Sequence, residues 1–123
     1  MKRRMIAVPK IWGREIILHD GEYCAKLLIY DGVRTSSKHY HETKHETFVV
    51  VKGEFEIEWE MLDHKDSKGK QVFHPGEALV LFPRTVHRVK CLTEEGGTIF
   101  EASSKEDPDD CVRLEPSINP FGK

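Results

Sequence analysis

The feature that most constrains this chain is a strict two-residue alternation. From Glu54 to Met61, Glu54, Glu56, Glu58 and Glu60 alternate with Phe55, Ile57, Trp59 and Met61. Successive side chains on an extended strand point to opposite faces, so this segment is satisfied as a strand with one wet face and one buried face. Trp59 is accordingly read as a core residue. No stretch keeps the helical period over a comparable length. Further strands are expected over Tyr23 to Tyr30, Thr35 to His41, Glu46 to Lys52, Gln71 to His74, Ala78 to Phe82, His87 to Leu92 and Thr98 to Ser103. The breaks between them fall at Asp31-Gly32, Lys52-Gly53, Asp63 to Lys70, Pro75-Gly76, Pro83 and Glu94 to Gly97, all of them turn chemistry. About eight short strands in 123 residues predict a single all-β domain, a sandwich or barrel, with its core from about residue 8 to 115. Lys105 to Asp110 reads as a polar loop and Pro116 to Lys123 as a weakly tied tail.

Charge and cysteine usage narrow the function classes. Lys plus Arg number 19 against 21 for Asp plus Glu, with both signs spread along the chain, which argues against nucleic acid as the partner. The basic start at Lys2, Arg3 and Arg4 is followed by only Met5 to Val8 before Pro9, too short an apolar run for a signal or a membrane anchor. Cys24, Cys91 and Cys111 are odd in number and far apart, and are read as reduced thiols in a cytoplasmic protein.

The chemistry lies in the histidines. His39 and His41 share one face of their strand, and Glu46 enters the next strand with the parity of Phe48 and Val50. A carboxylate on an otherwise apolar face needs a partner. His87 begins the alternation His87, Val89, Cys91 against Arg88 and Lys90, so its imidazole points with the apolar set. Together His39, His41, Glu46 and His87 would hold one divalent transition ion (Mn, Fe, Co, Ni or Zn) and leave a position open for substrate. Taken singly, His87 is equally a hydrogen-bonded core histidine, and a His-x-His pair on a wet face is equally solvated. His19, His45, His64 and His74 are placed in turns and given no function.

The glycines that bracket these residues carry a resemblance. Gly32, His39-Tyr40-His41, Glu46 and Gly53 resemble the first metal motif of the cupin superfamily, G-x5-H-x-H-x3,4-E-x6-G, with a first gap of six. Gly76, Pro83 and His87 resemble the second, G-x5-P-x-G-x2-H, without its inner glycine and with a loop one residue shorter. Within cupins, Lys10-Ile11-Trp12-Gly13, Phe82 to Arg88, Ile99 to Ser103 and Asp109-Asp110-Cys111-Val112-Arg113 look like the K-P-W-G, I-P-x-G-x-x-H-R, I-E-V-x-S and D-D-I-V-R series of the cupin-type mannose-6-phosphate isomerases. Histidine rather than glutamine at 39 brings the site closer to cupin isomerases of free aldoses such as the D-lyxose isomerases.

That resemblance implies a jelly-roll β-barrel, a homodimer, and a metal-dependent aldose–ketose isomerase acting on a sugar or sugar phosphate. It implies catalytic roles for Lys26 and Lys44 and a base at Glu101. By parity Lys26 goes with Cys24, Leu28 and Tyr30, and Glu101 with Ile99 and Ser103; a buried charge there must pair or do chemistry. The opposite reading leaves Lys26 and Lys44 in solvent. Arg88 and Arg113 are candidates to hold an anionic group of the ligand, Arg113 being equally a partner for Asp109 or Asp110. Trp12 is a candidate to stack on a sugar ring or to lie in a dimer contact. Two other readings compete: a non-catalytic sugar-binding module, and a metal-dependent dioxygenase or lyase.

Overall fold

A computed structural model describes residues 1–120; the last three residues of the expected C-terminal tail lie outside the described residues. Eleven strands follow one another along the chain: β1 (Ile6–Lys10), β2 (Gly13–Asp20), β3 (Tyr23–Tyr30), β4 (Lys38–His41), β5 (Glu46–Lys52), β6 (Phe55–Met61), β7 (His64–Phe73), β8 (Ala78–Leu81), β9 (Thr85–Cys91), β10 (Gly97–Ser104) and β11 (Cys111–Glu115). They form two antiparallel sheets, β1-β2-β3-β10-β5-β8 and β11-β4-β9-β6-β7, that face each other as a jelly roll. Among the described residues no helix is long and apolar enough to cross a membrane.

Several expectations are corrected here. There are eleven strands rather than about eight: β1 and β11 lie on sheet edges where alternation is weak, and β2, between β1 and β3, shifts register partway along. Asp63 to Lys70 is not a turn: only a tight bend follows Met61, and from His64 the chain runs back along β6 as β7. Its polar sequence is that of an edge strand, with Lys65, Lys68 and Lys70 discouraging further pairing. β4 starts at Lys38 rather than Thr35, which makes an isolated bridge to Lys90. His19 lies inside β2, its ring against Tyr23, and not in a turn. Trp59 is half-buried, packed on the edge of the core and lying across Gly69.

The core forms where the sheets face each other. Leu28, Tyr30, Phe48, Val50 and Ile99 from the six-stranded sheet meet Phe55, Ile57, Phe73, Val89 and Cys91 from the other. Trp12 stacks on Tyr30 with ring centroids 4.4 Å apart, and Gly96, at φ +86°, lets the backbone pass against the Tyr30 carbonyl. Along the same inner faces the lining then changes character. Leu28 gives way to Lys26 on β3, Ile99 to Glu101 on β10 and Phe48 to Glu46 on β5, all still buried. The outer face of the six-stranded sheet is apolar in turn: Ala7, Ile16, Leu27, Phe100, Val49 and Ala78 are register partners in one row across all six strands.

Candidate metal centre

At the polar end of the barrel a cavity of about 520 Å³ opens between the sheets. It is lined by His39, His41, Glu46, His87, Lys26, Lys44 and Glu101, and by Trp12 and Arg113. Strand parity accounts for the grouping. His39 stands directly across from His87 in the β4–β9 ladder, with ring centroids 4.5 Å apart, and His41 follows two residues on. Glu46 reaches over from β5, its two oxygens 3.5 Å from His41 Nε2 and 3.5 Å from His87 Nε2.

The imidazoles are prepared as ligands. His87 Nδ1 lies 3.0 Å from the Thr85 carbonyl oxygen, which fixes Nδ1 as the donor and leaves Nε2 with its lone pair. That Nε2 is buried and has no hydrogen-bond partner. His39 Nδ1 is engaged by Ser37, 2.8 Å from its hydroxyl. Orientation of a ligand ring through its second nitrogen is the usual support for a metal-binding histidine. Burial, reinforced by His87 and His41, holds His39 down to about 2; burial and the Lys44 charge hold His41 at about 4; burial also lowers His87. All three rings are therefore neutral at pH 7, the form that ligates.

The charged surround is a second layer. Lys44 is 4% exposed, and its ammonium lies 3.0 Å from Glu101 Oε2, 3.2 Å from Glu46 Oε1 and 3.2 Å from Glu106 Oε2. Burial opposes its charge, yet Glu101, Glu46 and Glu106 together carry it above the ordinary lysine value. Lys26 bridges Glu106 at 2.9 Å and Glu15 at 3.8 Å. Burial would raise Glu106, but the Lys26 hydrogen bond and the Lys44 charge bring it to about 2. Glu46 moves the other way, raised by burial and by the negative charge of Glu101 despite Lys44. Glu46, Glu101 and Glu106 share the Lys44 ammonium, Lys26 joins Glu106 to Glu15, and Lys10 reaches Glu15 from the other side at 4.0 Å. Three neutral imidazoles and a buried lone pair without a partner fit a divalent cation.

The residues singled out in the sequence divide. Lys26 and Lys44 are both buried in the cavity rather than solvated. Trp12 lines the cavity while its ring is committed to Tyr30. Arg113 lines it as well, opposite His39 in the β4–β11 ladder. Arg88 does not: with parity opposite to His87, its guanidinium donates to the Ser36 and Pro116 carbonyls and pairs with Glu115. The loop before His87 lacks the expected glycine, and Arg84 takes the left-handed turn instead, at φ +62°. Its amide donates to the His41 carbonyl at 2.7 Å, while its side chain is clamped by Asp63 and Glu42.

Three residues were given no place in the site by the sequence reading. Glu106 comes from the polar loop and joins the two lysines. Asp110, from the same loop, accepts the backbone amides of Thr43 at 2.7 Å and Lys44 at 3.0 Å, and so holds the turn between His41 and Glu46. Cys111 lies across from His41. In the sequence, Asp110 and Cys111 stood within the stretch resembling D-D-I-V-R, whereas Glu106 showed only as part of an acidic loop.

Comparison with known proteins bears on the fold. The cupin domain family matches residues 27–102. Among solved structures the chain is similar to the capsular polysaccharide assembling protein CapF from Staphylococcus aureus, with a TM-score of 0.80 and 18% identity over 93% of this chain and 32% of that one. It is similar to KdgF from Halomonas sp., with a TM-score of 0.67 and 24% identity over 78% and 81% of the two chains. Oxalate decarboxylase from Bacillus subtilis follows, with a TM-score of 0.77 and 11% identity over 89% and 30%. The chain spans about a third of the length of CapF, and at these identities the likeness is one of fold. No curated protein matches the chain.

Proposed function

The chain belongs to the cupin domain family, and on that premise we propose that it is a metal-dependent sugar isomerase, interconverting an aldose and a ketose, free or phosphorylated. The observation that carries the reading is the buried Glu101–Lys44 pair, 3.0 Å apart, in the same cavity as three neutral imidazoles and Glu46. A proton donor and a proton acceptor held side by side next to a Lewis-acid site suit movement of a proton between adjacent carbons.

His39, His41, Glu46 and His87 would hold the ion. When bound, a divalent ion supplies Lewis-acid polarisation of the sugar carbonyl and the neighbouring hydroxyl. Glu101 takes the proton from the carbon next to the carbonyl and returns it to the former carbonyl carbon, while the proton of the neighbouring hydroxyl passes to the former carbonyl oxygen. The Lys44 ammonium donates a hydrogen bond to the oxygen that gains negative charge, and Lys26 holds Lys44 in place through Glu106. Trp12, Leu28, Phe48 and Val89 wall the cavity and keep bulk water from the reacting carbons. Arg113 at the rim suits a phosphate on the substrate.

Metal-loaded protein is incubated in deuterium oxide with mannose, lyxose, fructose and their phosphates, and followed by NMR. Interconversion of one of them with deuterium entering the carbon next to the carbonyl is the expected result, together with loss of turnover in Glu101→Gln at unchanged metal content. About one ion per chain without turnover of any sugar overturns the isomerase in favour of a binding module. Undiminished turnover in Glu101→Gln removes Glu101 as the base.

A further inference from the structure

We propose that Cys111 is itself a ligand of this metal centre, so that the site selects an ion that accepts sulfur. The inference rests on the metal reading above and adds a donor that the His39, His41, Glu46 and His87 set does not contain. β11 lies along β4 with Cys111 directly across from His41 and Arg113 across from His39, which puts the thiol on the inner face. Cys111 lines the cavity, and one ligand atom each from His39, His41 and Cys111 lie within 4.8 Å of one another. Metal–nitrogen and metal–sulfur bonds are about 2.0 and 2.3 Å, so one ion joins the three donors once they draw within about 4.3 Å of one another, a small closure from that limit.

Two further observations point to a ligand here. His87 Nε2, on a residue only 2% exposed and directly across from His39 in the ladder, has no hydrogen-bond partner, so an unused donor stands on the strand beside the trio. Glu46, the carboxylate donor of the set, already has Oε1 against the Lys44 ammonium at 3.2 Å. A donor shared with an ammonium gives less charge to an ion, and a thiolate supplies what is missing. Binding replaces the S–H bond by a sulfur–metal bond and releases one proton to solvent. Imidazole with thiolate favours Zn(II), Co(II) or Fe(II) over Mn(II).

The test is optical and needs no substrate. Metal-free full-length protein is titrated with Co(II), and the visible d–d bands and near-ultraviolet sulfur-to-cobalt charge-transfer absorption are recorded for wild type and Cys111→Ser. The expected result is both features in wild type, with the charge-transfer absorption lost in Cys111→Ser while the visible bands persist. Competition should show a fall in Zn(II) affinity of about tenfold or more in Cys111→Ser, with Mn(II) affinity little changed. Visible bands without charge-transfer absorption, or absorption that survives in Cys111→Ser, overturn the assignment of Cys111 and leave the four-residue metal site standing. Absence of any cobalt bands in wild type removes the metal site itself, and Cys111 with it.

Discussion

Lys44→Met removes the one ammonium that Glu46, Glu101 and Glu106 share, and its effect can be worked out in advance. The Lys44 side chain is 3% exposed and contacts all three carboxylates within 3.2 Å, so solvent does not screen the loss. With methionine in place, the cheapest relief is for one more carboxyl to take up a proton. Bringing a glutamate with an ordinary value of about 4.3 to the neutral form at pH 7 costs roughly 2.7 pH units at about 1.4 kcal/mol each, or about 3.7 kcal/mol. That agrees with the roughly 3–5 kcal/mol found when one member of a buried ion pair is removed. By the same arithmetic the cost shrinks to about 1 kcal/mol at pH 5. The sign agrees with the neighbouring carboxylate: Glu106 is held at about 2, so its contribution is present above its ordinary value and lost as pH falls toward 2. The Lys44→Met deficit should therefore be large at pH 7 and small at pH 5. Urea unfolding with a chelator present, followed by the fluorescence of Trp12 and Trp59, measures both. A deficit below about 1 kcal/mol at pH 7, or one that does not change with pH, refutes Lys44 as the centre of the buried charge network.

Further outcomes follow from single residues. Asp110→Ala orphans the amides of Thr43 and Lys44 and should cost about 2–4 kcal/mol in urea unfolding, with weaker ion binding by calorimetry because the turn carrying Lys44 loosens. Burial would raise Asp110, but those two amides hold it below its ordinary value, so its contribution is lost as pH falls through the acid range; wild type and Asp110→Ala should converge there. Gly76 and Gly96 form a matched pair with φ near +90°. Gly76→Ala meets open space and should cost only the left-handed penalty of about 1–2 kcal/mol, whereas Gly96→Ala drives its Cβ into the Tyr30 carbonyl and should cost clearly more; equal melting temperatures would contradict this.

Legibility in the sequence followed local pattern. β3, β5 and β6 are strands by period and composition alone, and the parities of His39, His41, Glu46 and His87 needed nothing beyond the two-residue repeat. β2 was hidden because its register shifts between Ile17 and His19, which puts the alternation out of phase along Ile16-Ile17-Leu18. The part of β7 up to Lys70 was hidden because it is an exposed edge whose residues pack against little, so no apolar face marks it. The site divided in the same way. Lys26 and Lys44 each had two readings until the opposite sheet was in place, and the partners that settle their burial, Glu106 and Asp110, lie in a loop with no period to read. Cys111 depended on which strand β11 would join.

The apolar row on the outer face of the six-stranded sheet has a consequence for how the strands find their register. β3, β5 and β10 carry apolar side chains on both faces, and for such strands a slip of one residue exchanges one greasy face for another at little cost. Hydrophobicity does not tell these strands which way up to lie. Lys26, Glu46 and Glu101 do: one stands on each strand, and a slip would turn each outward and leave Lys44 without two of its partners. Replacing all three by leucine should keep the β circular dichroism yet yield several slowly exchanging sets of amide resonances. A single sharp set would show that register is written elsewhere. The groups assigned here to chemistry thus also act as orientation marks for the folding chain, so substitution at the site tests the sheet's uniqueness as well as its activity.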